Sequence, residues 1–306
     1  MKHDQNLRTV IAPGTRIAVT GSRGFIGHRL VQALRSQGHT VNPLVGDVTS
    51  PKTWEGEFDI LYHLAAAMPK IYAQDPGRGY SVNVCGVINA LEACRLRSAK
   101  IVFPSTCGLY RDQISDSVSE DHPLQDQTPY ATQKLVGEML CRAYAAHHKV
   151  RCVILRLFNV YGGGQKPQFL IPYLFQCAFT GSMALIKTPD SRRDLIHVDD
   201  VVAAMLAAAG VDTEYALLNI GSGSSHSVRE IISFVQEIVG QPLSWKHVAG
   251  STDVHQGIRA DISAARAGLM RWYPRVRIQE GLAETGDYVK RSLEAIDGTN
   301  GWVRNC

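Results

Sequence analysis

Between positions 16 and 160, short runs of apolar, β-branched residues alternate with longer stretches whose apolar positions recur every three or four residues. The runs 16–20, 40–45, 59–63, 100–104 and 151–157 predict buried strands, and the stretches 25–37, 80–97 and 129–148 predict helices packed on them. Such alternation builds a parallel sheet through right-handed crossovers, because a parallel neighbour is reached only by a long connection across one face. Beyond 160 the texture changes: Gly162, Gly163, Gly164 and Pro167 predict a loop, and helices follow over 169–180, 228–239 and 278–290. Two further apolar runs, 194–198 and 216–220, flank a predicted helix over 199–209 and imply a return of the chain to the first sheet. The expected fold is α/β: a doubly wound (Rossmann) parallel sheet from 1–160 plus 194–222, with a second, smaller α/β lobe from 161–193 plus 223–306.

Two lobes imply a cleft, and composition narrows what it holds. The 306 residues are 45% apolar and 20% charged, enough to bury a core without disulfides or metals. The net charge of +4 is spread along the chain, with no basic run or interleaved aromatics to track a nucleic acid. Seven cysteines, an odd number with no C-x-x-C pair, predict reduced thiols in a cytoplasmic protein. No apolar stretch approaches membrane-spanning length, and none near the start reads as a secretion signal. His147 and His148 are adjacent on a predicted helix and point apart, so no metal site is expected.

The first strand runs into Gly21, Ser22, Arg23, Gly24, Phe25, Ile26 and Gly27, a glycine turn opening a helix. Gly21 permits the tight turn, Gly24 lets backbone approach a pyrophosphate, and Gly27 lets helix lie close to strand. The free amides and positive dipole end of that helix would face the anion. The second strand ends without the acidic residue that would bind a ribose 2′-hydroxyl; Asp47 follows shortly and is a candidate contact for the adenine amine. Arg23 pairs with a 2′-phosphate or is simply solvated, so NAD and NADP both stay open.

Tyr130 and Lys134 stand one helical turn apart on one face, behind Thr128 as a natural cap and Pro129 as a natural first residue. A phenol of pKa about 10 accepts a hydroxyl proton poorly at neutral pH, and lowering it by about three units takes roughly 4 kcal/mol. A unit positive charge about 4 Å away, at an effective dielectric near 20, supplies about that much, so Lys134 beside an oxidised nicotinamide suffices in principle. The fourth strand delivers Ser105 and Thr106 to the sheet's carboxyl edge, where either hydroxyl would bond the reacting oxygen or cap the following turn.

With these residues in place, the chain resembles the extended short-chain dehydrogenase/reductases, in particular the nucleotide-sugar epimerase/dehydratase group. The likeness spans nearly the whole chain. It runs through Gly21 to Gly27, Gly46-Asp47-Val48, His63-Leu64-Ala65-Ala66, Asn83-Val84, Ser105-Thr106, Tyr130 with Lys134, Arg156 to Gly162, Arg193 to Val201, and Ala260-Asp261-Ile262. The resemblance implies that Tyr130 is the general base and acid, Lys134 the ribose-binding cation and Thr106 the hydroxyl steadying the substrate oxygen. It places Gly21, Arg23, Gly24, Phe25, Ile26, Gly27, Asp47, Val48, Leu64, Ala65, Ala66, Asn83 and Ser105 along the dinucleotide, with Thr106, Cys107, Asn159 and Arg193 toward the substrate. An arginine fork suits a nucleotide diphosphate; the alternative for Arg193 is a local ion pair with Asp194.

The departures bear on the reaction. Where 4,6-dehydratases of this group carry an acid and a base after the threonine, this chain has Cys107 and Gly108, which removes support for elimination and decarboxylation. Hydride and proton transfer at one carbinol remain, as a 4-epimerase with bound NAD or as an NADPH-dependent 4-ketoreductase of a deoxysugar. The group's late arginine before a Gly-Asp-Val turn is also missing; the chain reads Ala249-Gly250-Ser251-Thr252-Asp253-Val254 there. A nucleotide sugar as substrate and a homodimer packed through helices 80–97 and 129–148, with Leu135, Met139 and Ala143 at the seam, are further expectations. A non-catalytic dinucleotide sensor is a third reading, which would have no need to keep both Tyr130 and Lys134.

Overall fold

Ile17–Thr20 are buried at all four positions, and this strand seeds the sheet that organises the molecule. The computed structural model describes residues 11–68, 74–110, 117–125, 128–249 and 257–303, with 296–303 as backbone only. The strands are β1 (Ile17–Thr20), β2 (Val41–Leu44), β3 (Ile60–His63), β4 (Lys100–Thr106), β5 (Cys152–Leu157), β6 (Asn159–Tyr161), β7 (Ala184–Ile186), β8 (Arg192–His197), β9 (Tyr215–Ile220), β10 (Ser225–Ser227) and β11 (Trp245–His247). Helix α1 is Phe25–Ser36; α2 runs through Pro76–Tyr80, a π-turn at Ser81–Cys85, and Gly86–Arg97; α3 is Pro129–His148. Then come α4 (Leu170–Thr180), α5 (Val198–Ala209), α6 (Val228–Val239), α7 (Ser263–Gly268) and α8 (Ile278–Val303).

Six strands in the order β2-β1-β3-β4-β5-β9 form the main, all-parallel sheet. Its side chains alternate by face, as a doubly wound sheet requires. Val19, Tyr62, Val102 and Leu155 pack with Leu30 and Leu34 of α1 and Val201 and Met205 of α5. Ala18, Leu61, Ile101, Phe103 and Ile154 pack instead with Leu91 and Cys94 of α2 and Cys141 and Ala145 of α3. Each fully buried Leu, Ile or Phe contributes about 1.5–3 kcal/mol, so both layers are well anchored. A third cluster joins Leu174 and Phe175 of α4, Ile231, Ile232 and Val235 of α6 and Leu282 of α8.

The elements follow the sequence closely where local chemistry fixes them. Thr128 accepts from Ala131 N at 3.3 Å with Pro129 as the first helical residue, and α3 spans the predicted 129–148. Ser227 and Glu230 form a capping box at the start of α6, which ends at Gly240 with φ +74°. Strand β4 runs two residues further than expected because Ser105 and Thr106 keep register with Arg156 and Leu157 of β5. Helix α2 begins earlier, at Pro76, capped by Asp75 accepting from Arg78 N at 2.9 Å.

One expectation is corrected. Of the two late runs only β9 returns to the main sheet; β8 lies between β10 and β6 in a separate three-stranded sheet. Residues 194–198 and 218–220 are buried, and burial alone does not say in which sheet a strand finds its partners. No helix among the described residues is long and apolar enough to cross a membrane.

Candidate active site

The carboxyl ends of β1, β3 and β4 carry the glycine turn, Leu64 to Ala66, and Ser105 with Thr106 and Cys107; the other predicted residues come from the turn after β2 and from α2, α3, β6 and β8. At β1, Gly21 has φ +65°, and a Cβ there would sit 2.7 Å from the backbone of Leu64 and Ala65. A Cβ on Gly27 would lie 2.2 Å from the Gly21 carbonyl oxygen, so only glycine lets α1 start this close to β1. Gly24 N donates to Gly21 O at 2.9 Å, and Gly24 caps α1 without a side-chain partner or any acidic residue in the first turn. The exposed Gly24 and Arg23 and the half-buried Phe25 and Ile26 therefore surround an uncapped, electropositive helix start.

The turn is pinned from β3. Ala65 N donates to Thr20 Oγ1 at 3.2 Å, and Thr20 Oγ1 is 2.9 Å from His63 Nδ1. Burial, with the nearby Lys134 charge, lowers the His63 pKa to about 3, so the ring is neutral. Leu64 and Ala66 are half-buried, one to each side of Ala65. Asn83, inside the π-turn of α2, accepts from Ala67 N at 2.7 Å, donates to Ala67 O at 3.0 Å and donates to Gln133 Oε1 at 2.6 Å. It thus ties the loop after β3 to α3 through a local widening of α2, where π-turns commonly mark functional positions.

Beyond β2, Val48 is buried against Gly86, and its carbonyl accepts from Trp54 Nε1 and Asn89 Nδ2. Asp47 is exposed and already engaged: it accepts from Thr49 N and Thr49 Oγ1 and pairs with Arg78 at 2.9 Å. The Thr49 hydrogen bonds, then Arg78, bring its carboxyl down to about 2. Arg78 was not singled out by sequence, because it lies 31 positions away on another element.

Tyr130 and Lys134 share a face of α3, and both are largely withdrawn from solvent. Lys134 is buried, donates to Pro104 O at 2.8 Å, and lies 4.6 Å from the Phe103 ring centroid and 6.0 Å from that of Tyr130. Burial lowers its ammonium to a pKa of about 8, and burial, with Cys107 adding to it, pushes the Tyr130 phenol up to about 12. In the chain by itself, burial governs both groups, and the Lys134 ammonium is bonded to the Pro104 carbonyl.

Thr106 accepts from Gly108 N at 3.1 Å and caps the short turn Cys107–Leu109, yet stays half-exposed at the end of β4. Ser105 is buried, and its Oγ has no partner among the described residues; the same holds for Gln133 Nε2 and Arg193 Nε. Cys107 adds electrostatically to the upward push on the Tyr130 phenol. Burial lowers the Arg193 pKa, and Cys107 works against that shift. The alternative of an Arg193–Asp194 ion pair is not what forms. The Asp194 carboxylate instead accepts from Ser222 N, Ser222 Oγ, Gly223 N and Ala260 N, and Asn159 Nδ2 donates to the Asp194 carbonyl at 3.1 Å. Of the missing late-arginine segment, Gly250 to Val254 lie outside the described residues.

Together these elements offer a helix start with free amides, a buried lysine, a phenol and, among the described residues, buried polar atoms without partners. Those features fit an extended, phosphate-bridged dinucleotide lying across the strand ends. Among the described residues no group of three or more His, Cys, Asp or Glu side chains is placed to hold a metal ion.

Comparison with known proteins agrees with this geometry. The UDP-glucose 4-epimerase of Mycolicibacterium smegmatis is 30% identical over 315 residues, covering 91% of this chain and 100% of that one. A UDP-glucuronic acid decarboxylase of Xenopus tropicalis is 25% identical, covering 91% of this chain and 73% of its own. The structure of MoeE5 in complex with UDP-glucose and NAD superposes with a TM-score of 0.83 at 30% identity, covering 91% of this chain and 99% of the other. Residues 17–221, from the first strand through the glycine turn and Tyr130 to the end of β9, match the NAD dependent epimerase/dehydratase family, and the chain belongs to that family.

Proposed function

We propose that this protein is a nucleotide-sugar 4-epimerase that works through a transient 4-keto sugar. The observation that carries the reading is the turn after Thr106. Cys107 and Gly108 follow the threonine, and the turn Cys107–Leu109 has no carboxylate for elimination or C5 deprotonation. The relatives support the substrate class: one is named a UDP-glucose 4-epimerase, and another was crystallised with UDP-glucose and NAD.

NAD, when bound, supplies the reversible acceptor for the C4 hydrogen. Tyr130 takes the O4 proton as the alcohol becomes a ketone and returns it after the sugar has turned over. Lys134 holds the ribose and, freed from Pro104 O, adds positive charge beside the phenol. Thr106 steadies the reacting oxygen, and Ser105 faces the dinucleotide. Arg193 and Asn159 hold the nucleotide diphosphate, the guanidinium supplying planar, charge-assisted hydrogen bonds.

A second reading, an NADPH-dependent 4-ketoreductase, is favoured by one observation: Arg23 is exposed in the glycine turn, and Asp47 is neutralised by Arg78, so nothing described there opposes a 2′-phosphate. The deciding experiment identifies the dinucleotide released from the purified protein and incubates the protein with UDP-, GDP- and dTDP-sugars. Retained NAD with interconversion of two C4 epimers is the expected result. Stoichiometric consumption of added NADPH by a 4-keto sugar would establish the reductase instead. Tyr130→Phe should cut turnover by about a hundredfold or more, the usual scale of a lost general base, and turnover within a few-fold of wild type would remove Tyr130 from the mechanism. The protein is further proposed to be a homodimer through the outer faces of α2 and α3, where Leu96 and Met139 are 70% and 63% exposed.

A further inference from the structure

We propose that Glu284, on α8 of the second lobe, is a positioning residue for the dinucleotide crevice: it fixes the loop 162–164 against the phosphate-binding turn, so that grip on the dinucleotide depends on how the lobes pack. This rests on the dinucleotide reading above and deepens it.

The carboxylate gathers groups from three other places in the fold. Its Oε1 is 2.7 Å from Arg29 Nη2, and its Oε2 accepts from Gly163 N at 3.0 Å and lies 3.4 Å from His197 Nε2. Arg29 belongs to α1, one turn after Phe25, and donates also to Gly163 O at 3.3 Å and to Asp199 Oδ1 at 3.2 Å. The N–H and C=O of Gly163 are therefore both held by one ion pair that bridges α1 and α8. Burial works to raise the Glu284 pKa, but the hydrogen bonds from His197, Arg29 and Gly163 overcome it and bring the carboxyl to about 2, so it is ionised at any working pH.

Space around the loop is tight. A Cβ on Gly163 would meet Glu284 Oε1 at 2.9 Å and Tyr288 Cβ at 3.1 Å, and one on Gly162, whose φ is +144°, would meet Val198 Cγ1 at 2.7 Å. On its other side the loop faces the glycine turn, a Cβ on Gly164 lying 3.8 Å from Phe25 Cδ2. Phe25 opens the helix whose amides form the anion site, so a shift of the loop is a shift of the crevice wall.

The test is dinucleotide affinity of the full-length protein, by titration with NAD and protein fluorescence or calorimetry. Glu284→Ala should raise the NAD Kd about tenfold. Glu284→Gln, which still accepts from Gly163 N but loses the charge on Arg29, should raise it about threefold to fivefold, the scale of one partly exposed charge-assisted bond. At saturating NAD the sugar KM should stay within about twofold, and amide exchange at Gly163 should quicken in both variants while exchange in the β4 and β5 core does not. A purely structural role would lower Tm and leave the NAD Kd unchanged below it. Wild-type affinity in either folded variant overturns the inference alone; a wild-type chain that binds no dinucleotide overturns it together with the reading it rests on.

Discussion

Lys134 is held in the fold against its own charge. Its pKa of about 8, against an unfolded value near 10.5, means that the folded state binds protons less readily than the unfolded chain. The penalty is present in full below pH 8 and disappears as pH rises from about 8 to 10.5. A shift of this size corresponds to on the order of 3 kcal/mol, and losing the bond to Pro104 returns about 1 kcal/mol, so Lys134→Met should be stabilising by about 1–2 kcal/mol at pH 7. The expected outcome is a Tm a few degrees above wild type at pH 7, no gain near pH 10.5, and turnover lowered by about a hundredfold or more; an equal or lower Tm at pH 7 would contradict it. At this scale, what was legible in sequence was what chemistry makes local: the glycine turn, the Tyr130–Lys134 spacing, the cap at Thr128. What escaped was relational. Glu284 stands 255 positions from Arg29, and Asp47 meets an arginine 31 positions further on, in another element. The burial that raises the Tyr130 phenol likewise depends on residues that surround it in space rather than in order.

Among elements, α3 and β5 are joined by an ion pair with both side chains 5% exposed: Arg156 donates to Glu138 at 3.0 and 2.7 Å, and also to Tyr110 Oη and Glu120 O. Tyr110 in turn donates to Asn219 Oδ1 in β9, so α3, β5, β9 and the segment 117–125 share one buried network. Glu138→Ala would strand the guanidinium and should cost about 3–5 kcal/mol, whereas a compact hydrophobic replacement of both partners should cost far less. Denaturant midpoints of the single and double variants check this, and a single variant within about 1 kcal/mol of wild type would refute it. Helix positions were readable here because capping residues and amphipathic spacing mark both ends. Strand partnership was not: β8 and β9 are both six residues long and buried at their carboxyl ends, and they differ in what they pair with, β8 with β6 and β10 and β9 with β5.

At the scale of the molecule, the outer faces of α2 and α3 make the proposed assembly testable. Met139→Glu should convert a dimer, seen by light scattering at micromolar concentration, into a monomer with little change in far-ultraviolet circular dichroism; a wild-type monomer would remove the proposal. The doubly wound architecture was legible because alternating short and long apolar periods leave few other topologies open. The size and strand content of the second lobe were less so, since β7, β10 and β11 are only three residues each. The main sheet ends at β2, where Pro43 stands in register with Val19. A proline offers no amide hydrogen to an incoming strand, so this rim is a poor template for a stranger's backbone. At the high concentrations of a crowded cell, that one imino acid should help keep neighbouring copies from zipping edge to edge into aggregates.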